Sequence, residues 1–310
     1  MLTRRPTELS VAAADTHIAV QDHGGDGPPV LLLHGAGGNL LHWSGFVSLL
    51  SASHRVVTMD LRGHGRSGDA AWEWDGALDD IEAVVEHLEL GSPAVVGHSL
   101  GGMLAGAWGG RQRDCPAVVS LDGHRSVVTD PLHYIGLPEN RLRDDLDRLR
   151  DVFTTQSRAM ARPLGEEDVT AMLDAQRGFA SSVGMEPEEW TAAVRRGLEE
   201  RDGHHHVRPG PEITAALSTS PEFEDSLPTF VRTLAPLLVV VAVERQKEVP
   251  EDLRPLMEAF LTALRHDLAF LGRLHPRVRV REVSTGHGMV HERPREVAGL
   301  VLDFLREHGT

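Results

Sequence analysis

The 310-residue sequence has a single cysteine, Cys115, and a single lysine, Lys247. One cysteine excludes an internal disulfide, and because Cys115 directly precedes the apolar run at 116–119 we expect a buried, unreactive thiol. No apolar stretch is long enough to span a bilayer. The basic first residues are not followed by the apolar segment of a secretory signal peptide, so we expect a cytoplasmic protein.

Basic residues are also scarce relative to acidic ones. The chain has 31 Lys and Arg against 46 Asp and Glu, and its formal net charge is −15. Such a charge repels phosphate backbones and anionic lipid surfaces, which argues against nucleic acid or a membrane as a partner. We therefore expect a small-molecule partner; the composition does not indicate an oligomeric state.

Short apolar runs alternate with longer segments of helical periodicity, which is typical of an α/β protein with a mainly parallel sheet. The segment 78–90 is helical in pattern because its apolar residues share one face. The segment 9–21 is typical of an antiparallel hairpin at the sheet edge. The predicted parallel strands are 29–33, 56–59, 94–96, 118–121, 237–243 and 278–283.

This alternation stops between about residue 125 and residue 233, where the sequence is rich in charges and helix formers and shows no convincing strand. Long insertions between sheet elements usually carry function. We predict an α/β core formed by 1–125 and 233–310 and a helical cap formed by 126–232; the alternative is a separate domain fused in the middle. Helix starts are predicted where proline and acids suit a first turn, at Pro138, Glu166, Pro187 and Pro211.

The strongest local motif is the segment 97–102, which reads Gly-His-Ser-Leu-Gly-Gly and directly follows a predicted strand. In a G-x-S-x-G turn between a strand and a helix, side chains at 97 and 101 would collide with neighbouring backbone, and the serine is pushed outward. The helix that follows favours negative charge at its N-terminus. The context therefore indicates that Ser99 is a nucleophile.

Two further segments fit the same chemistry. The strand at 29–33 ends in the glycine loop His34-Gly35-Ala36-Gly37-Gly38, which can present a backbone N–H to an oxyanion. Near the C-terminus, His287 lies just past the last predicted strand. A serine hydroxyl is a weak nucleophile until a base takes its proton, so a histidine in this position is a candidate base.

Together these segments resemble the α/β-hydrolase superfamily, whose fold is a mostly parallel eight-stranded sheet flanked by helices. The resemblance covers nearly all of the chain outside the predicted cap. It implies that Ser99 attacks, that His287 is the general base, and that the N–H groups of Ala36 and Leu100 form the oxyanion hole. The motifs that carry it are the glycine loop 34–38, the segment 60–67, the turn 97–101 and the Gly-His pair 286–287.

Other histidines compete for the role of base. His98 and His64 lie inside turn motifs and are interpreted as local structure, His34 as a residue that holds the glycine loop, and His291 as the beginning of the closing helix. The run His204–His206 could suggest a metal site, but no cysteine or acidic partner stands at ligand spacing, so no metal is expected.

The third residue that this chemistry requires is the acid that orients His287. Many relatives place it after the strand that corresponds to 237–243, but this sequence has no Asp there and has Arg245 in the usual position. Asp122 ends the strand at 118–121, 23 residues after Ser99, where haloalkane dehalogenases and zearalenone lactonase-like enzymes carry their acid. We predict Asp122 as the acid, with Glu244 as the alternative and Glu248 after it.

The resulting prediction is a serine hydrolase that cleaves a hydrophobic ester or lactone without a cofactor. The same residues also serve carbon–carbon bond hydrolases and thioesterases, and a cofactor-free haloperoxidase-like side activity is possible on this site. A hydrolase-like ligand receptor with little turnover is the alternative from another class. The cap side chains predicted to line the substrate cavity are Phe153, Met160, Met172, Phe179, Met185 and Trp190.

Overall fold

A computed structural model describes residues 6–182, 185–244 and 249–310. Eight strands form one sheet in the order β1-β2-β4-β3-β5-β6-β9-β10, and two more, β7 and β8, form a separate hairpin. The strands are β1 Thr7–Ala12, β2 His17–Asp22, β3 Pro29–Leu33, β4 Arg55–Met59, β5 Ala94–His98, β6 Val118–Leu121, β7 Leu198–Arg201, β8 His204–Val207, β9 Leu237–Ala242 and β10 Val278–Val283.

The sheet has an antiparallel edge and a parallel body. Strands β1 and β2 pair antiparallel, as do β2 and β4. The neighbouring strands in the remaining order β4-β3-β5-β6-β9-β10 all pair parallel. The central strands are continuous runs of Val and Leu because helices cover both faces of the sheet. The predicted α/β class, the edge hairpin and the mainly parallel eight-stranded sheet are therefore confirmed.

Within the described residues, twelve α-helices accompany the sheet. The predicted helical segment 78–90 lies largely within α2, and the four predicted helix starts lie within one residue of the first residues of α4, α5, α6 and α7. No helix within the described ranges is both long and apolar enough to cross a membrane. The helices are α1 Ser44–Leu50, α2 Trp74–His87, α3 Leu100–Arg111, α4 Glu139–Met160, α5 Glu166–Ser182, α6 Pro187–Arg196, α7 Pro211–Ser218, α8 Pro221–Glu224, α9 Leu227–Val231, α10 Arg254–Leu274, α11 Met289–Glu292 and α12 Pro294–Glu307.

The segment between β6 and β9 contains six of these helices, α4 to α9, together with the hairpin of β7 and β8. The expectation that it holds no strand was therefore wrong. These strands are polar and half-exposed, so they lack the apolar alternation by which a strand is recognised. The available signal was Asp202-Gly203, since both residues have positive φ in the connecting turn. The division into core and cap at residues 125 and 233 stays a prediction.

Helix α6 is joined to the sheet by a buried cation. The guanidinium of Arg196 donates to the Asp60 carboxylate at 2.8 Å and to Glu8 at 3.1 Å. Burial raises the pKa of Asp60, and Arg196 together with the N–H groups of Leu40 and Arg66 acts in the opposite direction. Nearby, the Asn39 amide donates to the carbonyl of Ala193, also in α6. The insertion is thus fastened to the loops that follow β3 and β4.

Replacing Arg196 with leucine should destabilise the fold. The variant leaves the fully buried Asp60 carboxylate without its cation, which costs about 3–5 kcal/mol of the free energy of unfolding when a buried ion pair loses one partner. Urea denaturation at pH 7 measures this loss. The matched control is Arg143→Leu, because Arg143 pairs with Glu139 on the exposed face of α4 and should change the value by less than about 1 kcal/mol. Equal losses in the two variants would contradict the interpretation.

Candidate active site

The turn between β5 and α3 holds Ser99 in an unusual backbone conformation, with φ 53° and ψ −121°. A non-glycine residue in such a conformation costs on the order of 1–3 kcal/mol and needs support from its surroundings. The support is close packing around two glycines. A Cβ at Gly97 would lie 1.9 Å from the carbonyl oxygen of Gly101, and one at Gly101 would lie 2.1 Å from that of Leu33. Ser99 therefore stands at the N-terminus of α3, where negative charge is favoured.

His287 follows β10 and meets Asp122, which follows β6. Its Nδ1 lies 2.7 Å from Asp122 Oδ2. An ionised carboxylate only accepts hydrogen bonds, so Nδ1 carries the proton and Nε2 is the nitrogen with the lone pair. His287 and Ser99 both line the same cavity. The arrangement places a histidine, oriented by a carboxylate, in the same cavity as a serine hydroxyl.

The Asp122 carboxylate is nearly inaccessible and has three hydrogen-bond donors. Besides His287, the backbone N–H of Ala242 lies 2.9 Å and Nε2 of His124 lies 3.0 Å from Oδ1. Burial raises the pKa of Asp122, but the hydrogen bonds from His124 and His287 outweigh it and hold that pKa well below its ordinary value. Asp122 is therefore ionised at neutral pH. The sequence analysis did not identify His124. The signal that could have found it is a histidine two residues after Asp122.

The loop that carries His287 is held from two sides. Nε2 of His98 donates to the carbonyl oxygen of His287 at 2.7 Å, so His98 holds the His287 loop in addition to its predicted role in the turn. Burial lowers the pKa of His98 to about 3, which keeps the ring neutral. On the other side, Glu292 Oε2 accepts from the Thr285 hydroxyl at 2.7 Å and from the Gly286 N–H at 2.9 Å.

One predicted oxyanion donor, Leu100, directly follows the serine, and the other, Ala36, belongs to a loop that packs against it. Leu100 is the first residue of α3, and its N–H belongs to the first turn, where a helix has no internal acceptors. Ala36 lies in the glycine loop, which approaches the serine closely, since a Cβ at Gly35 would lie 2.9 Å from Ser99 Cβ. His34 holds this loop by donating from Nδ1 to the Gly35 carbonyl at 2.8 Å.

Glu244, the alternative acid, is not the carboxylate that contacts His287. Glu244 follows β9 and lines the cavity, but its side chain is exposed, and no described residue forms a hydrogen bond or ion pair with its carboxylate. The remaining alternative, Glu248, and the cation expected at Arg245 lie outside the described residues. Among the positions that can be compared, Asp122 is the one whose carboxylate contacts His287.

A cavity of about 840 Å³ opens beside Ser99 and His287, between α4, α7 and α10. Its wall is predominantly apolar, with arginine and glutamate side chains among it. Volume and lining fall in the range of small-molecule sites. Apolar side chains of the wall include Met103, Val127, Val128, Phe153, Phe223, Val243, Met257, Phe260, Leu261 and Leu264.

Phe153 is the single member of this wall among the six cap side chains predicted from the sequence, so the predicted lining is corrected for the other five, Met160, Met172, Phe179, Met185 and Trp190. Met160 and Phe179 are about half exposed, and Met172 packs on a separate small cluster formed by Leu164, Val169 and Leu173. Trp190 packs against His42 and His291, beside the glycine loop. Four of the residues that the sequence did not predict, Met257, Phe260, Leu261 and Leu264, lie on α10, outside the predicted cap.

The histidine run 204–206 lies on β8, where His205 Nε2 is 3.0 Å from Glu166. Within the described ranges, no group of three or more His, Cys, Asp or Glu side chains is arranged to hold a metal ion. Cys115 is buried, and burial raises the pKa of its thiol to about 12, as expected for a structural residue.

Comparisons with known proteins agree with this architecture. A family model described as "Alpha/beta hydrolase family" matches residues 30–300. In structure, the chain is similar to E-2-(acetamidomethylene)succinate hydrolase, with a TM-score of 0.68 and 20% identity over 97% of this chain and 100% of that one. It is also similar to a putative aryl esterase from Burkholderia cenocepacia, with a TM-score of 0.63 and 22% identity over 97% and 99%.

Matches to curated sequences are short. The acetyltransferase component of the acetoin cleaving system of Pseudomonas putida is 37% identical over 86 residues, which is 26% of this chain and 23% of that protein. The chain thus matches about a quarter of the length of such relatives. Similarity at this level carries over the fold but not a substrate.

Proposed function

The chain belongs to the alpha/beta hydrolase family, and we propose that it is a serine hydrolase that cleaves a hydrophobic carboxylic ester or lactone. The observation that carries the proposal is the 2.7 Å contact between His287 and Asp122, formed where Ser99 faces a large apolar cavity. A serine in a strained turn, a base with a defined tautomer and a buried ionised acid are the parts required for nucleophilic catalysis.

In the proposed reaction, the Ser99 hydroxyl attacks the substrate carbonyl carbon while His287 Nε2 takes the hydroxyl proton. Asp122 stabilises the imidazolium, and the N–H groups of Ala36 and Leu100 stabilise the oxyanion. The intermediate expels the alcohol, which receives the proton from His287, and leaves an acyl group on Ser99. A water molecule, deprotonated by His287, then releases the carboxylic acid and restores the serine.

The cavity supports a hydrophobic substrate. Phe153 of α4 and Met257, Phe260 and Leu261 of α10 supply apolar surface from both sides. Each methylene that a substrate buries there contributes about 0.8 kcal/mol. The proposed residues complete the reaction without a cofactor, because the nucleophile, the base and the oxyanion donors all come from the chain.

Hydrolysis of p-nitrophenyl acetate, butyrate and hexanoate tests the proposal. We expect p-nitrophenol release with kcat/KM rising roughly fourfold for each added methylene until the cavity is filled. Mass spectrometry should place a fluorophosphonate label on Ser99. A receptor with little turnover would give neither steady release nor acyl-chain dependence. Labelling without ester turnover would favour the thioesterase or carbon–carbon bond alternatives, which use the same serine.

A further inference from the structure

His124 lies two residues after the predicted acid, and its side chain is buried against the site. It is 5% exposed and lines the cavity together with Ser99 and His287. Its Nε2 lies 3.0 Å from Asp122 Oδ1. Gly123 between them must be a glycine, because a Cβ there would lie 2.1 Å from the carbonyl oxygen of Ser99. The loop therefore runs against the serine turn and directs His124 back toward Asp122.

The contacts of His124 define its tautomer. Its Nδ1 lies 2.8 Å from the backbone N–H of Arg125. A backbone N–H can only donate, so Nδ1 is an acceptor without a proton. The proton of the neutral ring is then on Nε2, the atom that faces Asp122. His124 is thus a committed hydrogen-bond donor to the carboxylate.

This donor contacts the carboxylate oxygen of Asp122 that does not face His287. Asp122 Oδ2 faces His287, while Oδ1 is held by His124 and by the N–H of Ala242. With donors on both oxygens, the carboxylate plane cannot rotate without breaking a buried hydrogen bond. We propose, on the basis of the proposed function, that His124 is a positioning residue that sets the geometry of the Asp122–His287 pair.

His124 is itself held from the insertion. Its carbonyl oxygen accepts from the N–H of Ser226 at 2.8 Å. The neighbouring Arg125 guanidinium lies 3.1 Å from Asp225 and 2.9 Å from Asp267 of α10. The loop after β6 is therefore fixed by α10 and by the segment between α8 and α9. This anchoring keeps the Nε2 donor in place when substrate enters the adjacent cavity.

Glutamine and methionine form a matched pair of replacements. The two side chains are similar in length, and both lose the Nδ1 acceptor, but only glutamine carries an amide N–H to replace Nε2. We expect His124→Met to lower the first-order rate of Ser99 labelling by a fluorophosphonate (kinact) about 10- to 100-fold, as for a lost hydrogen bond to a charged group. We expect His124→Gln to recover most of that loss, and the inhibitor constant KI to change little in both.

A double-mutant cycle separates positioning from general damage. If His124 acts through Asp122, His124→Met should slow labelling by less than about threefold when Asp122→Asn is already present. His87→Gln is the control, since His87 is exposed in the last turn of α2, does not line the cavity and should leave kinact unchanged. Circular dichroism verifies that each variant is folded. If His124→Met does not fold, the test uses kinact of His124→Gln and a double-mutant cycle of His124→Gln with Asp122→Asn.

The outcomes are distinguishable. Wild-type kinact in His124→Met, equal losses in the Met and Gln variants, or an undiminished loss in the Asp122→Asn background would overturn the role of His124 and leave the proposed function standing. If His124→Gln folds and His124→Met does not, a reduction of kinact in His124→Gln as large as that in Asp122→Asn would also overturn the role of His124. Absence of Ser99 labelling in the wild-type protein would overturn the proposed function, and this inference with it.

Discussion

Ser99→Ala is expected to lower kcat for ester hydrolysis by at least about three orders of magnitude, because removal of the nucleophile leaves only binding and oxyanion stabilisation. The substitution removes a single oxygen from a half-buried side chain at the edge of a cavity. It retains a Cβ, so the positive φ at this position is no more strained than before. The folded structure should therefore persist.

The measurement is steady-state p-nitrophenyl butyrate hydrolysis, with thermal unfolding of the same sample as the test of folding. Ser48→Ala is the control, because the Ser48 hydroxyl lies on the exposed surface of α1 and donates only to the carbonyl of Gly45. We expect that variant to match the wild type. If Ser99→Ala keeps more than about a tenth of the activity, the nucleophile lies elsewhere.

Asp122→Asn is expected to lower kcat by about four orders of magnitude, whereas Glu244→Gln should change it by only a few-fold. Both substitutions convert a carboxylate to an amide in the wall of the same cavity, so the pair is matched in the chemical change made. The asparagine amide can no longer stabilise an imidazolium, and its NH₂ group would favour the tautomer of His287 that lacks the proton on Nδ1. Glu244 is exposed and forms no such contact within the described part of the chain.

The same ester assay compares kcat of the two variants. A pH profile of the wild-type protein checks the ionisation state of Asp122. Since the pKa of Asp122 is held well below its ordinary value, Asp122 should remain ionised throughout the accessible pH range of the wild-type protein. The reverse ranking of the variants, with Glu244→Gln nearly inactive and Asp122→Asn nearly unchanged, would show that the acid follows β9 rather than β6.

The role of Ser99 could be predicted from the local sequence. A strand, a sharp turn and a helix in immediate succession need glycines at 97 and 101. The strands were predicted for a similar reason: in a parallel sheet covered on both faces, the apolar runs are continuous and stand out from their surroundings. The hairpin of β7 and β8 was missed because both strands are partly exposed and polar, and only the Asp202-Gly203 turn marks them.

The pairing of Asp122 with His287 needed one step beyond local pattern. The residues are 165 positions apart, and what brings them together is the order of β6, β9 and β10 in the sheet. Parallel neighbouring strands end at the same edge, so a residue that follows one strand can reach a histidine that follows another. That rule allowed Asp122 and Glu244 alike, and the choice depended on which carboxylate turns inward.

The sequence by itself determined the α/β class, the mainly parallel sheet and the candidate roles of Ser99 and His287, because periodicity and tight-turn chemistry are written in neighbouring residues. Only the tertiary structure decided that His124 contacts Asp122 and that α10, and not α5, contributes to the cavity wall. Such contacts join segments far apart in the chain, and a hydrogen bond or an apolar contact leaves no periodic mark in the residues that make it.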